Sequence, residues 1–492
     1  VVVVSNGSKQ VYFAMREKII RLQPPAVPVK NVIGAGDSLL AGILFGLWHE
    51  LPFEQMAKWG VACGTASVMN EQVGIVDRDE IDRVFLDYNI CVEDIRNDES
   101  NHYLPEFLLT SEEGSFAKHT IVERKPKIIE SILEDNQYPN TITKKLKSFR
   151  YEIKEKTISP LTGHGWDKVF WNHELLKYWG RTWLEIPWFY AETFFYRKVL
   201  DIVGYYTKNS RYFRTDPFEL QKVRQIEKDI RQLEQEWNDY PHYSERNAFS
   251  FYLHASLWGN RADLSNKTVD LIEQNDIAGK ENAHLIVIDD TERVFSIIRQ
   301  GENRIDFITD NVGRELIFDL TLIDYMLTLG FAKQVVIHLK ETPYFVSDAM
   351  VKDVEMTLGK MMLSSCERIN QIGKNIQAWI ERGMLILRGS PFWSSFYHFD
   401  DLPVFIIDDL RKSSLIFIKG DANYRRILGD RHWDFTESIH RINMVFPRPY
   451  VLLRTFKSEV AAGLNQKQVN QLMSSDPKWL INGKRGVIQL IQ

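Results

Sequence analysis

Cations, amides and a carboxylate crowd one turn near the C-terminal end of the chain. The stretch KGDANYRRILGDRHWDF (419–435) places Lys419, Gly420, Asp421, Asn423, Tyr424, Arg425 and Arg426 directly after the apolar run SLIFI (414–418). Ammonium and guanidinium groups at that density suit a phosphate, and the carboxylate of Asp421 suits a hydroxyl or a metal. Three other apolar runs end in the same manner. RIDFI (304–308) leads into Asp310, Asn311 and Glu315; QVVIHLK (334–340) leads into Ser347 and Asp348; YVLLR (450–454) ends on Arg454 and leads into Lys457. Asp310, Asn311 and Asp348 are hard oxygen donors of the kind magnesium or manganese takes. Lys419, Arg425 and Lys457 supply positive charge for a phosphoryl group. A divalent ion beside them would polarise a phosphoryl oxygen and acidify a bound water. One such cluster reads as a turn or a helix cap. Four at four strand ends are harder to explain that way, and together they point to metal-dependent hydrolysis of a phosphate ester.

The elements that must position these residues alternate. Strands are expected at 284–290, 304–308, 334–340, 384–388, 402–409, 414–418 and 450–454. Helical patterns lie between them, among them 316–331 and one long amphipathic stretch from Asp348 to about Arg382. Such alternation predicts an α/β fold, a mostly parallel sheet covered by helices, with ligands at the carboxyl ends of its strands. Residues 105–280 read as a helical subdomain preceding that sheet, and 281–492 as the metal-binding α/β subdomain. The tryptophans from Trp166 to Trp188 lack a basic excess nearby and read as helical core rather than a base-stacking surface. Asp216-Pro217-Phe218-Glu219 has the composition of a helix start, and the charged helix it opens, to about Trp237, reads as a solvated face.

From about residue 105 onward the chain resembles the damage-control phosphatases, in the branch also described as acidic-residue methyltransferases. The resemblance rests on TWLEIPWFYAETFFYR (182–197), RTDPFELQK (214–222), DNVGRELIFDL (310–320), TPYFVSD (342–348), KGDANYRRILGDRHW (419–433), RTFK (454–457) and SSDPKWLINGKRGVIQ (474–489). It implies a metal held by Asp310, Asn311 and Asp348. It also implies substrate contacts from Asp421 through Arg425 and from Lys457, with Glu315 lining the site and Glu192 and Arg197 facing it. The implied activity is hydrolysis of sugar phosphates such as fructose 1-phosphate or fructose 6-phosphate, supported by manganese, cobalt or nickel. Two other classes stay open: a carboxyl methyltransferase using S-adenosylmethionine, for which no GxGxG loop is present, and a non-catalytic module that holds a phosphorylated ligand.

The first ninety residues read differently. NVIGAGDSLLAGILFGL (31–47) sets Gly34, Ala35, Gly36 and Asp37 at the entry of an apolar helix, where backbone N–H groups and the helix dipole favour an anion. An Asp there can act as a base toward a hydroxyl attacking ATP. With VVVVSNGSKQVYF before it and FEQMAKWGVACGTASVMNEQVG after it, residues 1–92 resemble the C-terminal part of ribokinase-like sugar kinases of the phosphofructokinase and tagatose-phosphate kinase type. The resemblance makes Asp37 the base and Gly34 to Gly36 the anion hole. The sugar-binding front of such a kinase is expected upstream, so this module is expected to be a partial one, inactive as it stands. Residues 93–104 are polar and without period, and read as a linker.

Composition narrows the partners. Of 492 residues, 61 are basic and 66 acidic, giving a net charge of −5, which lacks the footprint of a nucleic-acid binder or of a protein drawn to anionic membranes. Cys63, Cys91 and Cys366 show no metal-binding spacing and are too few for a disulfide framework, so a cytoplasmic location is expected. The longest apolar run, LLAGILFGLW (39–48), is shorter than the ~20 residues of a membrane span.

Overall fold

The opening valine-rich run pairs with the segment after it. In the computed structural model, which describes all residues except 16–17, 74–75, 96–103, 238–244, 260–284, 302–303, 444–445 and 448, β1 (Val2–Ser5), β2 (Val11–Ala14), β3 (Ile19–Leu22) and β4 (Val92–Asp94) form an antiparallel sheet in that order. Helices Ala35–Trp48, Phe53–Val68 and Arg78–Asp87 belong to the same unit, which comprises residues 1–104, 159–179 and 401–406. Its core gathers Phe13, Ile20, Trp59 and Phe85 with Val169 and Phe170. Two sequence expectations change here. Glu93 and Asp94, expected in a linker, extend the sheet by pairing with Arg21 and Ile20. Residues 159–179, expected in the helical subdomain of the phosphatase-like part, pack into this first core because Trp166 and Phe170 meet Phe45 and Trp59.

The second unit comprises residues 105–158, 180–400 and 407–492. Its centre is set by runs apolar on both faces, which only a sheet covered on both sides can bury. Strands β5 (Ile286–Asp289), β6 (Arg304–Ile308), β7 (Gln334–Lys340), β8 (Leu385–Ser390), β9 (Ser413–Lys419), β10 (Tyr450–Thr455) and β11 (Gly486–Ile491) stand in the order β5-β11-β10-β9-β6-β7-β8. Every neighbouring pair is parallel except β10 with β11. The chain moves outward from β6 to β7 and β8, then returns to the other side of β6 as β9 and β10. The order therefore reverses between β6 and β9, and the loops leaving those strands diverge to open a crevice.

Three expected elements differ. LPVFIIDD (402–409) is a helix, Val404–Leu410, rather than a strand. Its buried residues Ile406, Ile407 and Leu410 recur at helical spacing, and Pro403 suits a helix start. The stretch from Asp348 to Arg382 is two helices, Val351–Met362 and Glu367–Glu381, and Asp348 lies outside both. The helix Glu219–Glu236 is not a plain solvated face, since Lys222 and Asp229 on it are fully buried. Of the tryptophans, Trp171, Trp183 and Trp188 are core, whereas Trp179 is exposed.

Candidate active site

The loops at the β6/β9 reversal are held open by glycine and by strain. Gly420, at the end of β9, has φ +85°, and a Cβ built there would collide with Asp310 Oδ2. Only a residue with no side chain lets the Asp310 carboxylate lie across that turn. The loop after β7 carries Phe345 and Val346 in succession in the left-handed region, at φ 46° and 69°. Consecutive bulky residues there are strained, a cost often stored where a side chain must be aimed. Ser347 and Asp348 come directly after this strained pair. A backbone bridge pairs Asp348 with Asn311, and Ala349 N donates to Asp310 O at 2.8 Å.

These side chains interlock. Asn311 Nδ2 donates to Asp310 Oδ2 at 2.7 Å and to Glu315 Oε2 at 3.1 Å, while its Oδ1 accepts from Ser347 Oγ at 2.6 Å. Asp348 Oδ2 stands 3.2 Å from Lys340 Nζ, and the Asp348 carbonyl accepts from the buried Lys222 Nζ at 2.9 Å. Lys222 is tied in turn to Asp353 and Asp216, so the loop bearing Asp348 is pinned from beneath. Asp421 opens the short helix after β9. Its Oδ1 accepts from Arg454 Nε at 2.6 Å, from Lys457 N at 3.2 Å and from Ser458 Oγ at 3.1 Å.

One cleft of about 510 Å³, its open mouth included, is lined by Asp310, Asn311, Asp348, Asp421, Arg425 and Lys457. Its opposite wall is helical: Phe116 and Arg124, then Trp188, Glu192 and Tyr196, with Phe345 from the strained loop. Sequence reasoning had no signal for Arg124, or for Lys125 behind it, since isolated basic residues on a helix look solvated. Arg124 closes a single turn of π-helix, Thr120–Arg124, a departure from regular helix that often marks a functional position.

Several expected phosphate ligands are placed elsewhere. Lys419 is fully buried beneath the site, donating to Ser256 O at 2.7 Å and paired with Asp319 and Glu315 at 3.0 and 3.3 Å. It balances buried carboxylates and does not line the cleft. Burial lifts the Glu315 carboxyl to about 7, and the Lys419 charge opposes that rise. Asn423 donates to Thr309 O and Lys419 O, fastening the loops after β6 and β9 together. Tyr424 OH bonds the Ala462 backbone, and the Arg454 guanidinium lies 4.1 Å from its ring while bonding Asp421, Ser458 and Val460. Glu315, Asn423, Tyr424 and Arg454 thus stand one layer behind the cleft. Arg425 lines it, with its guanidinium 3.4 Å from the Trp188 ring and bonded to Glu192 and Asp430. Arg197 is buried beside Asp201 and over Tyr206, away from the lining. Gly34, Ala35, Gly36 and Asp37 belong to the first unit, where Gly34 at φ 86° precedes the helix and Asp37 sits exposed on its first turn.

The donor set fits a hard divalent cation: two carboxylates and an amide oxygen from adjacent strand ends, at a spot where Gly420 leaves room for the Asp310 carboxylate. Among the described residues no group of three His, Cys, Asp or Glu side chains is arranged for a metal, so a site here depends on the amide. No helix among the described residues is long and apolar enough to cross a membrane.

Residues 119–473 match the damage-control phosphatase ARMT1-like domain, and the chain belongs to that family. Residues 1–79 match the pfkB family of carbohydrate kinases. Damage-control phosphatase ARMT1 of Xenopus tropicalis is 32% identical over 77% of this chain and 97% of that protein. The Danio rerio and Homo sapiens proteins of the same name are 29% and 26% identical, each over 78% of this chain and 96% and 98% of their own length. A solved DUF89 family protein from Pyrococcus horikoshii superposes with a TM-score of 0.43 at 16% identity, covering 76% of this chain and 98% of its own.

Proposed function

We propose that the second unit is a metal-dependent phosphatase of small sugar phosphates, fructose 1-phosphate and fructose 6-phosphate among them. Asp310, Asn311 and Asp348 would hold the ion, manganese, cobalt or nickel by family expectation, with magnesium a further candidate. The observation that carries the reading is the meeting of those three oxygen donors with Asp421, Arg425 and Lys457 around one cleft at the β6/β9 reversal. A divalent ion held there would polarise the phosphoryl oxygen and supply an acidified water.

The chain's own residues do the rest. Lys457 follows β10 at 5% exposure, and its ammonium is the lining charge best suited to meet the phosphate. Arg425, a planar donor on an aromatic face, orients the ester oxygens. Asp421, its Oδ1 fixed by three donors, is placed to accept from a sugar hydroxyl. Trp188, Tyr196 and Phe345 give the sugar an apolar wall and exclude water. The test is a panel of sugar phosphates assayed after chelation and re-addition of single divalent metals. Turnover of at least one ester that disappears on chelation supports the reading; no turnover with any metal sinks it.

A further inference from the structure

Behind the cleft wall runs a buried chain of alternating charges. Lys125 Nζ donates to Glu192 Oε1 at 2.9 Å; Glu192 Oε2 accepts from Arg425 Nη1 at 2.5 Å; Arg425 Nε and Nη2 donate to Asp430 at 2.7 and 2.9 Å. All four side chains are at most 5% exposed. Three of the five guanidinium N–H donors of Arg425 are thereby engaged, and two remain on a residue that lines the cleft. We infer that Lys125 is a positioning residue for the substrate anion, which acts by sharing Glu192 with Arg425 so that the guanidinium's permanent charge is not offset by two carboxylates alone.

The count of charge explains the effect. With Lys125 protonated, two cations balance Glu192 and Asp430. With Lys125 neutral, Arg425 alone faces the two carboxylates it bonds, and an incoming phosphate dianion meets a wall with one positive charge fewer. The four charged groups are buried, so that difference is screened little. Lys125 is also the member that can lose its charge. Around its ammonium stand Arg124 from its own turn, the Phe195 and Tyr196 rings and Tyr196 OH from the helix Trp188–Val203, the Phe345 ring at 5.7 Å, and Arg425 beyond Glu192. Only Glu192 among them is negative. Burial therefore pulls the Lys125 ammonium down to about 8, with Glu192 opposing. Burial would raise the Glu192 carboxyl, but Lys125 and Arg425 outweigh it and carry it down to about 2. Both partners fall because the carboxylate has two cations while the ammonium shares a single anion. Glu192 stays ionised and Lys125 titrates.

The inference rests on the phosphatase reading, and the test separates the two. In the full chain with its preferred metal, the wild-type KM for the accepted ester should rise about tenfold between roughly pH 7 and roughly pH 9.5, with kcat changing less. Lys125→Arg, which keeps its charge throughout, should hold KM level across that range. Lys125→Met should show the raised KM already at neutral pH. Lys125→Met with Glu192→Gln restores the charge balance and should bring KM back to within about threefold of wild type. The same variants are titrated with inorganic phosphate on the metal-free protein, where affinity should follow the same order. An alkaline rise of KM unchanged in Lys125→Arg, or a double variant no better than Lys125→Met, overturns the inference. If no ester is turned over with any metal, the phosphatase reading falls, and the phosphate titrations still decide the role of Lys125. Should the Met variant not fold, the Arg variant decides alone.

Discussion

Two lysines of the same sequence neighbourhood have opposite fates. Lys457 lines the cleft, so Lys457→Met should raise KM and lower kcat/KM about ten- to a hundred-fold, the roughly 1.5–3 kcal/mol of one charge-assisted contact. Metal affinity, read by calorimetry, should stay near wild type. Lys419 is enclosed by Glu315, Asp319 and Ser256. Lys419→Met strands two carboxylates in a dry interior and should cost about 3–5 kcal/mol of stability in denaturant unfolding. A Lys419→Met protein of normal stability with a raised KM would return that lysine to the phosphate site. At the metal, Asp310→Ala should leave less than about a tenth of the phosphatase activity while circular dichroism shows an intact fold. These fates separate because a strand side chain can point along its end or back into a face. Residue type reports the charge, and the neighbours that neutralise it come from remote segments: Ser256 and Asp319 for Lys419, Glu192 for Arg425.

At the scale of elements, the apolar runs at β6, β7, β9 and β10 were readable because a doubly covered strand has no polar alternation to confuse. The polar clusters after them were readable for the same reason, since they stand out against such runs. The run 402–409 was misread because Ile406, Ile407 and Leu410 satisfy both a short buried strand and a helical stripe, and length could not arbitrate. The helical wall was least legible. Arg124 reaches the cleft, with Lys125 behind it, at a π-helical turn that sequence periodicity does not announce. Geometry at the β9 turn gives a sharper test. Gly420→Ala sets a methyl against Asp310 Oδ2 and strains a backbone at φ +85°. Metal affinity should fall about 10–100-fold, as for lost support of a ligand. A Gly420→Ala protein that binds metal as tightly as wild type would show that Asp310 is not a ligand.

For the whole molecule, the two units have separate hydrophobic cores, one around Trp59 and Phe85, the other around the central strands of the seven-stranded sheet. Linkage makes the metal's place measurable without any assay of turnover. Asp310 and Asp348 are 5% and 1% exposed and lie on paired loops of the second unit. A divalent ion that binds only the folded second unit should stabilise it by about 2.7 kcal/mol at a hundred times its dissociation constant. Scanning calorimetry of the full chain should therefore show the unfolding of the second unit moving upward when manganese replaces chelator. Unfolding of the first unit, which holds none of the proposed ligands, should stay in place. Asp348→Ala should abolish the shift, and Asp37→Ala should leave it whole. A manganese shift that survives Asp348→Ala, or one that moves only the first unit, would place the ion outside the β6/β9 cleft and with it the hydrolytic centre.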